Sequence, residues 1–193
     1  MREHSFGTLI SQLEGEPFAT HLPILLDAER GPCGTLVGHM ARANPHWRAF
    51  TPEAAESLII FQGPHAYISP SWYVAEQAVP TWNYEVVHAY GKPCVLDDPK
   101  AVRALLEETV TLFESSMPRP WSTARAGDEY ISKLAQAIVA FEMPISRLEG
   151  KRKLSQNRPA EDVRGAIDGL QKFGNALGQT VASDMLEIAQ NRL

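Results

Sequence analysis

The chain has 193 residues, 44% of them apolar and 21% charged, and a net charge of −5. That length supports one domain with a real core, and no apolar run reaches the roughly 20 residues that cross a bilayer. The negative balance argues against a surface given over wholly to nucleic acid, which leaves a basic footprint, and allows only a local basic patch.

The start, MREHSFGTLIS, has no basic segment followed by a long apolar stretch, so no signal peptide and a cytoplasmic location are expected. Cys33 in GPCG and Cys94 in KPCV lie far apart in turn-like settings, which suits free thiols in a reducing compartment.

SFGTLISQL and PFATHLPILLD read as two strands around a turn at Glu14-Gly15-Glu16. In the second strand Leu22, Ile24 and Leu26 share one face and put His21 on the other, as a pocket candidate or as an ordinary strand histidine. TLVGHMA is a third strand, and the boundary Asn44-Pro45 predicts a short helix after it. His39, Arg42 and Asn44 then gather at one strand end. A guanidinium fork, an imidazole and an amide there suit a phosphate, and equally a solvated turn.

SLIIFQG is a buried strand by its continuous apolar run, and WNYEVVHAYGKPCVLD is another. The Pro-rich stretch between them, GPHAYISPSWYVAEQAVPT, is expected to be a long functional loop holding His65, Ser69, Ser71 and Trp72. From Leu58 to Tyr90 the chain carries seven of its sixteen aromatic residues. Rigid rings set beside Gly and Pro make a surface for a flat ligand, or else ballast for a β-rich core.

DDPKAVRALLEETVTLFESS is a helix with Asp98 as N-cap, Pro99 in the first turn, and a packing face of Val102, Leu105, Leu106, Thr109, Leu112 and Phe113. MPRPWSTARAG breaks it. A second helix follows around Asp128 to Gln136, then a closing strand through Val139, Phe141, Met143 and Ile145. GKRKLSQNRP, with Lys151, Arg152, Lys153 and Arg158, is either a phosphate contact or the solvated basic tail of that strand. Two further helices carry stripes at Val163, Ile167, Leu170 and at Val181, Met185, Ile188, separated by Gly174 to Gly178. A helix pair invites a helix-turn-helix reading, but no basic, amide-rich recognition face accompanies it.

The histidines lack metal-ligand spacing, the serines lack a strained elbow, and neither a dinucleotide fingerprint nor a P-loop is present. The residues alone lead to a small, mainly β barrel with flanking helices, whose strand ends and aromatic loop bind a flat, phosphate-bearing molecule.

FGTLIS, THLPILL, GHMARANPHW, IFQGPHAYISPSWY, VPTWNYEVVHAYGKP and LEGKRKLSQNR resemble the PaiB family of FMN-binding negative transcriptional regulators, over nearly the whole chain. The resemblance implies an α+β, FMN-binding split β-barrel: a single domain over 1–193, with 160–193 as a C-terminal helical appendage. It implies a homodimer with each flavin between subunits. His21, His39 and Arg42 fall at the phosphate-binding strand positions of split-barrel relatives. Asn83 and Tyr84 fall where such relatives face the second subunit's flavin, and Lys153 and Gln156 fall in the closing-strand region that reaches across the dimer. Asn44 and Trp72 join this cofactor-binding set from the reading of the residues. A DNA partner follows from the family name alone. The same barrel also hosts flavin-dependent oxidoreductases, flavin reductases and haem-binding proteins, which stand as alternatives.

Overall fold

The computed structural model describes residues 1–190. Seven strands form in it: β1 (Phe6–Leu13), β2 (Glu16–Asp27), β3 (Thr35–Ala41), β4 (Ser57–Ile68), β5 (Thr81–Gly91), β6 (Cys94–Leu96) and β7 (Ile138–Lys153). Four α-helices are described beside them: α1 (Pro99–Glu114), α2 (Asp128–Ala135), α3 (Ala160–Phe173) and α4 (Ala176–Gln190). The strands follow the order β3-β2-β1-β4-β5-β7-β6, and β3 also pairs with β7, which closes six of them into a ring. The fold is an α+β split barrel.

The first hairpin follows from its turn. Glu14 and Gly15 both take positive φ, 54° and 85°, the left-handed pair that matches the twist of a two-residue hairpin. That turn sets Leu13 opposite Glu16 and carries the register up to Phe6 opposite Pro23.

The chain divides into two compact units, Met1–Phe61 with His88–Glu149, and Gln62–Val87 with Gly150 onward. In the first, Leu9, Ile24, Leu36, Ile59, Phe141 and Met143 are at most 2% exposed. Gly38 lets the Phe141 ring approach, since a Cβ there would lie 3.2 Å from it. Leu25, Val37, Leu105 and Ala140 form a second cluster that seats α1. In the second unit the core is Ala66, Ile68, Leu154, Ala166, Ile167, Leu170, Val181, Ala182 and Met185. The expected helical appendage thus shares a compact unit with the middle of the chain, and residues 191–193 of it lie outside the described residues.

Three expectations need correction. GPHAYI is strand rather than loop: after Ser57, Ile59 and Phe61 the buried set shifts by one residue at Gln62-Gly63 and resumes period two at Pro64, Ala66 and Ile68, a pattern that outweighs the Gly-Pro signal. The connecting loop is only 69–80. The basic residues Lys151 to Lys153 are the last positions of β7, with Lys151 and Arg152 exposed and Lys153 half-buried. The packing face of α1 is narrower than its apolar stripe, for Leu105 is buried while Leu112 and Phe113 are 48% and 42% exposed. Lastly, Gly178 lies inside α4, and Gly174-Asn175 alone separates the last two helices, with Asn175 Oδ1 accepting from the Gly178 N–H at 3.0 Å.

Candidate functional site

In the second unit, β5 alternates. Thr81, Asn83 and Glu85 share one face, and all three meet the end of β7 and the turn after it. Lys153 Nζ donates to Thr81 Oγ1 at 2.5 Å, and Arg152 Nε donates to Glu85 Oε1 at 2.5 Å. The Glu85 contact raises the Arg152 pKa further above its already high value. Asn83 is fully buried and gives one N–H group to Ser155 Oγ at 3.0 Å and to Met185 Sδ at 3.3 Å. Gln156 closes the turn after β7: its Oε1 accepts from the Leu154 N–H at 2.7 Å and its Nε2 donates to the Arg152 carbonyl at 2.7 Å.

The opposite face of β5 carries rings. Trp82, 53% exposed, stands edge-on to Tyr67 with centroids 6.0 Å apart and lies 6.3 Å from His65. The Lys151 ammonium lies 5.9 Å from the Tyr84 ring. Trp72, in a short 3-10 turn at Pro70–Trp72, lays its indole over Gly169 of α3, where a Cβ would come within 2.3 Å of the ring. Trp72 thus packs on α3 while it also lines a cavity with His65, Tyr67 and Trp82.

The candidates of the first unit are differently placed. Arg42 donates from Nε to the Gln136 carbonyl at 2.9 Å and from Nη2 to the Ile138 carbonyl at 2.7 Å. Two of its donors thus hold the entry to β7. Asn44 caps the turn Pro45–Ala49, accepting from the His46 N–H at 3.0 Å and donating to Thr20 Oγ1 at 3.1 Å. His21 is exposed on β2 opposite Thr8. His39 is half-buried opposite Ala140, and burial pushes its pKa down. Of the phosphate cluster expected from His39, Arg42 and Asn44, Arg42 and Asn44 are thus engaged with separate partners.

The residues alone do not single out His46, which is fully buried between two hydroxyls. Its Nδ1 is 2.7 Å from Thr20 Oγ1 and its Nε2 is 2.8 Å from Ser11 Oγ, which in turn is 2.7 Å from Ser57 Oγ. Burial lowers its pKa to about 4, so the ring is neutral at pH 7. Thr81 was equally silent, although its place two residues before Asn83 puts it on the same face. Among the described residues no group of three or more His, Cys, Asp or Glu could hold a metal, and no helix is long and apolar enough to cross a membrane.

A split barrel with cations and hydroxyls on one strand pair and rings on its reverse defines the class of small-molecule-binding barrel domains. Residues 1–147 match the family described as "Putative FMN-binding domain". The chain is 37% identical over its whole length to the protease synthase and sporulation protein PAI 2 of Bacillus subtilis, 89% of which is covered. It is 31% identical to an uncharacterised protein of Aspergillus fumigatus, covering 97% of this chain and 90% of that one. Among solved structures, the flavocytochrome Anf3 of Azotobacter vinelandii matches with a TM-score of 0.57 at 14% identity, over 83% of this chain and 67% of that one. An FAD- and haem-binding protein of Mycobacterium smegmatis matches with 0.56 at 16%, over 86% and 73%. These two likenesses show the fold. The chain belongs to the PaiB-like FMN-binding family, and its cofactor is FMN.

The residues present fit that cofactor. A phosphate monoester takes an ammonium and a hydroxyl side by side, which Lys153 and Thr81 provide at half-buried positions. The exposed rings of Trp82 and Tyr67 stand on the reverse face of β5 and are not part of that phosphate seat.

Proposed function

We propose that two copies of this chain form the working unit, that each FMN phosphate is held by Lys153 and Thr81, and that the assembly acts as a DNA-binding repressor of PaiB type. The observation that carries the dimer is the second half of β7. From Ser146 to Arg152 every residue is exposed, whichever face of the strand it occupies, and Leu148 is 44% exposed. A strand open to water on both faces leaves apolar and cationic side chains without a cover, and a second copy supplies one.

Flavin supplies redox-active ring chemistry when bound. The residues of this chain bind and orient. Lys153 contributes charge at the phosphate, Thr81 a hydroxyl, and the Arg152–Glu85 pair fixes the strand end on which Lys153 stands. Tyr84, with Lys151 beside its ring, is the aromatic offered to the partner's flavin. Asn83 and Gln156 hold the turn after β7 in place, and so act on the site through Lys153.

The DNA role rests on the resemblance to the PaiB family and its sporulation-protein relative alone, since Arg152 and Lys153 are engaged by Glu85 and Thr81. Its test is an electrophoretic shift with the chain's own upstream DNA across a salt series. A sequence-selective shift that weakens steeply with salt supports it, and equal binding to unrelated DNA contradicts it. The cofactor site is tested separately, by titrating FMN against Lys153→Ala, as argued below.

A further inference from the structure

The helical side of the second unit contains a cavity of about 440 Å³, within the range of roughly 300–1,000 Å³ typical of small-molecule sites. Val163 and Ile167 of α3 form one wall, and Met185 and Ile188 of α4 form the other. Its polar lining is cationic or neutral: Arg158 and Arg164, with the Ser155 hydroxyl and the Gln156 amide.

Among the described residues the Arg158 guanidinium makes no hydrogen bond. Its Cζ lies over the Tyr73 ring, 4.6 Å from the centroid. The approach of its Nη1 to Asp162 Oδ2 is 4.0 Å, too long for a hydrogen bond. Asp162 is 1% exposed. Its Oδ1 accepts from the N–H groups of Val74 and Ala75, while its Oδ2, like the Tyr73 hydroxyl, is buried with no partner among the described residues. Arg164 is exposed and makes no ion pair among the described residues. Neither Asp162 nor Tyr73 lines the cavity, which meets this group only at Arg158.

We propose that this cavity binds a small monocarboxylate with an apolar body. The carboxylate sits on Arg158 and Arg164, and the hydrocarbon lies between α3 and α4. The charge balance selects the class. Two guanidiniums against one buried carboxylate leave a single positive charge, which suits a monoanion, and four apolar side chains on two walls exclude a fully hydrated ion such as phosphate. The carboxylate seat uses Arg158 and Arg164, neither of which the flavin assignment uses, so it stands whether or not that assignment does.

The test is calorimetric titration of the full chain, saturated with FMN, with octanoate and with octanamide, which has the same tail and no charge. Saturable binding of one octanoate per chain is expected, with octanamide at least ~10-fold weaker, because a charge-assisted hydrogen bond is worth about that factor. Arg164→Gln is expected to weaken octanoate by a similar ~10-fold, since Arg164 is exposed and its replacement leaves the core intact. Ala189→Trp, which fills the cavity from α4, is expected to abolish binding while FMN content is unchanged. Absence of saturable octanoate binding, equal affinity for octanamide, or undiminished binding in both variants would overturn the proposal.

Discussion

Among the described residues Lys153 has one side-chain partner, Thr81, on a strand 72 positions away in sequence, and that contact gives the sharpest prediction at the scale of single residues. Removing the ammonium in Lys153→Ala deletes a charge-assisted bond worth about 1.5–3 kcal/mol, so FMN affinity should fall by roughly tenfold or more. Thr81→Val removes a neutral donor and should cost about half of that in free energy. Fluorescence titration of FMN measures both, and unchanged affinity in the lysine variant would place the phosphate elsewhere. His46 gives a pH prediction. Its pKa is about 4 in the folded chain and about 6.5 when unfolded, so the neutral ring contributes stability that is complete above pH 6.5 and lost as pH falls toward 4. By pH 4 the loss should reach about 3 kcal/mol relative to pH 7, measured as the difference in chemical-denaturation stability between the native chain and His46→Gln, which cannot titrate. Lys153 is legible from the motif KLSQNR, whereas Thr81 and the hydroxyls around His46 are not, because their partners come together only through sheet pairing.

Among the elements, the loop 69–80 is held against α3 by a close contact that leaves no room for a methyl group. A Cβ at Gly165 would lie 2.0 Å from the Trp72 carbonyl oxygen, and one at Gly169 2.3 Å from the indole. Gly169→Ala should therefore destabilise the fold by about 2 kcal/mol or more despite the better helix propensity of alanine, and pairing it with Trp72→Ala should recover part of that loss. Thermal unfolding of the two single variants and the double variant checks this, and strict additivity would mean the two positions do not touch in solution. Strands and helices with strong periodicity, such as β2, α1 and the closing strand, are readable from the chain because burial follows period two or 3.6. β4 is not, since the Gly63-Pro64 pair imitates a turn inside a strand whose alternation changes phase at that point. The exposed end of α1 is also hidden, because an apolar stripe does not say how much of its length another surface reaches.

For the whole molecule, the ring closed by β3 and β7 follows from the resemblance rather than from periodicity, because strand order depends on pairings distant in sequence. What periodicity does show is its own failure from Ser146 to Arg152, where alternation of burial stops. The proposed dimer puts that surface under a second copy, and Leu148→Arg should separate the copies while leaving each folded. The most direct test of the account is size-exclusion chromatography with light scattering, following flavin absorbance in the same run. The account predicts a species of about twice 21.4 kDa carrying one FMN per chain, with both the mass and the bound flavin falling in Leu148→Arg. A monomer that retains FMN, or a dimer from which FMN elutes free at saturating concentration, would contradict it.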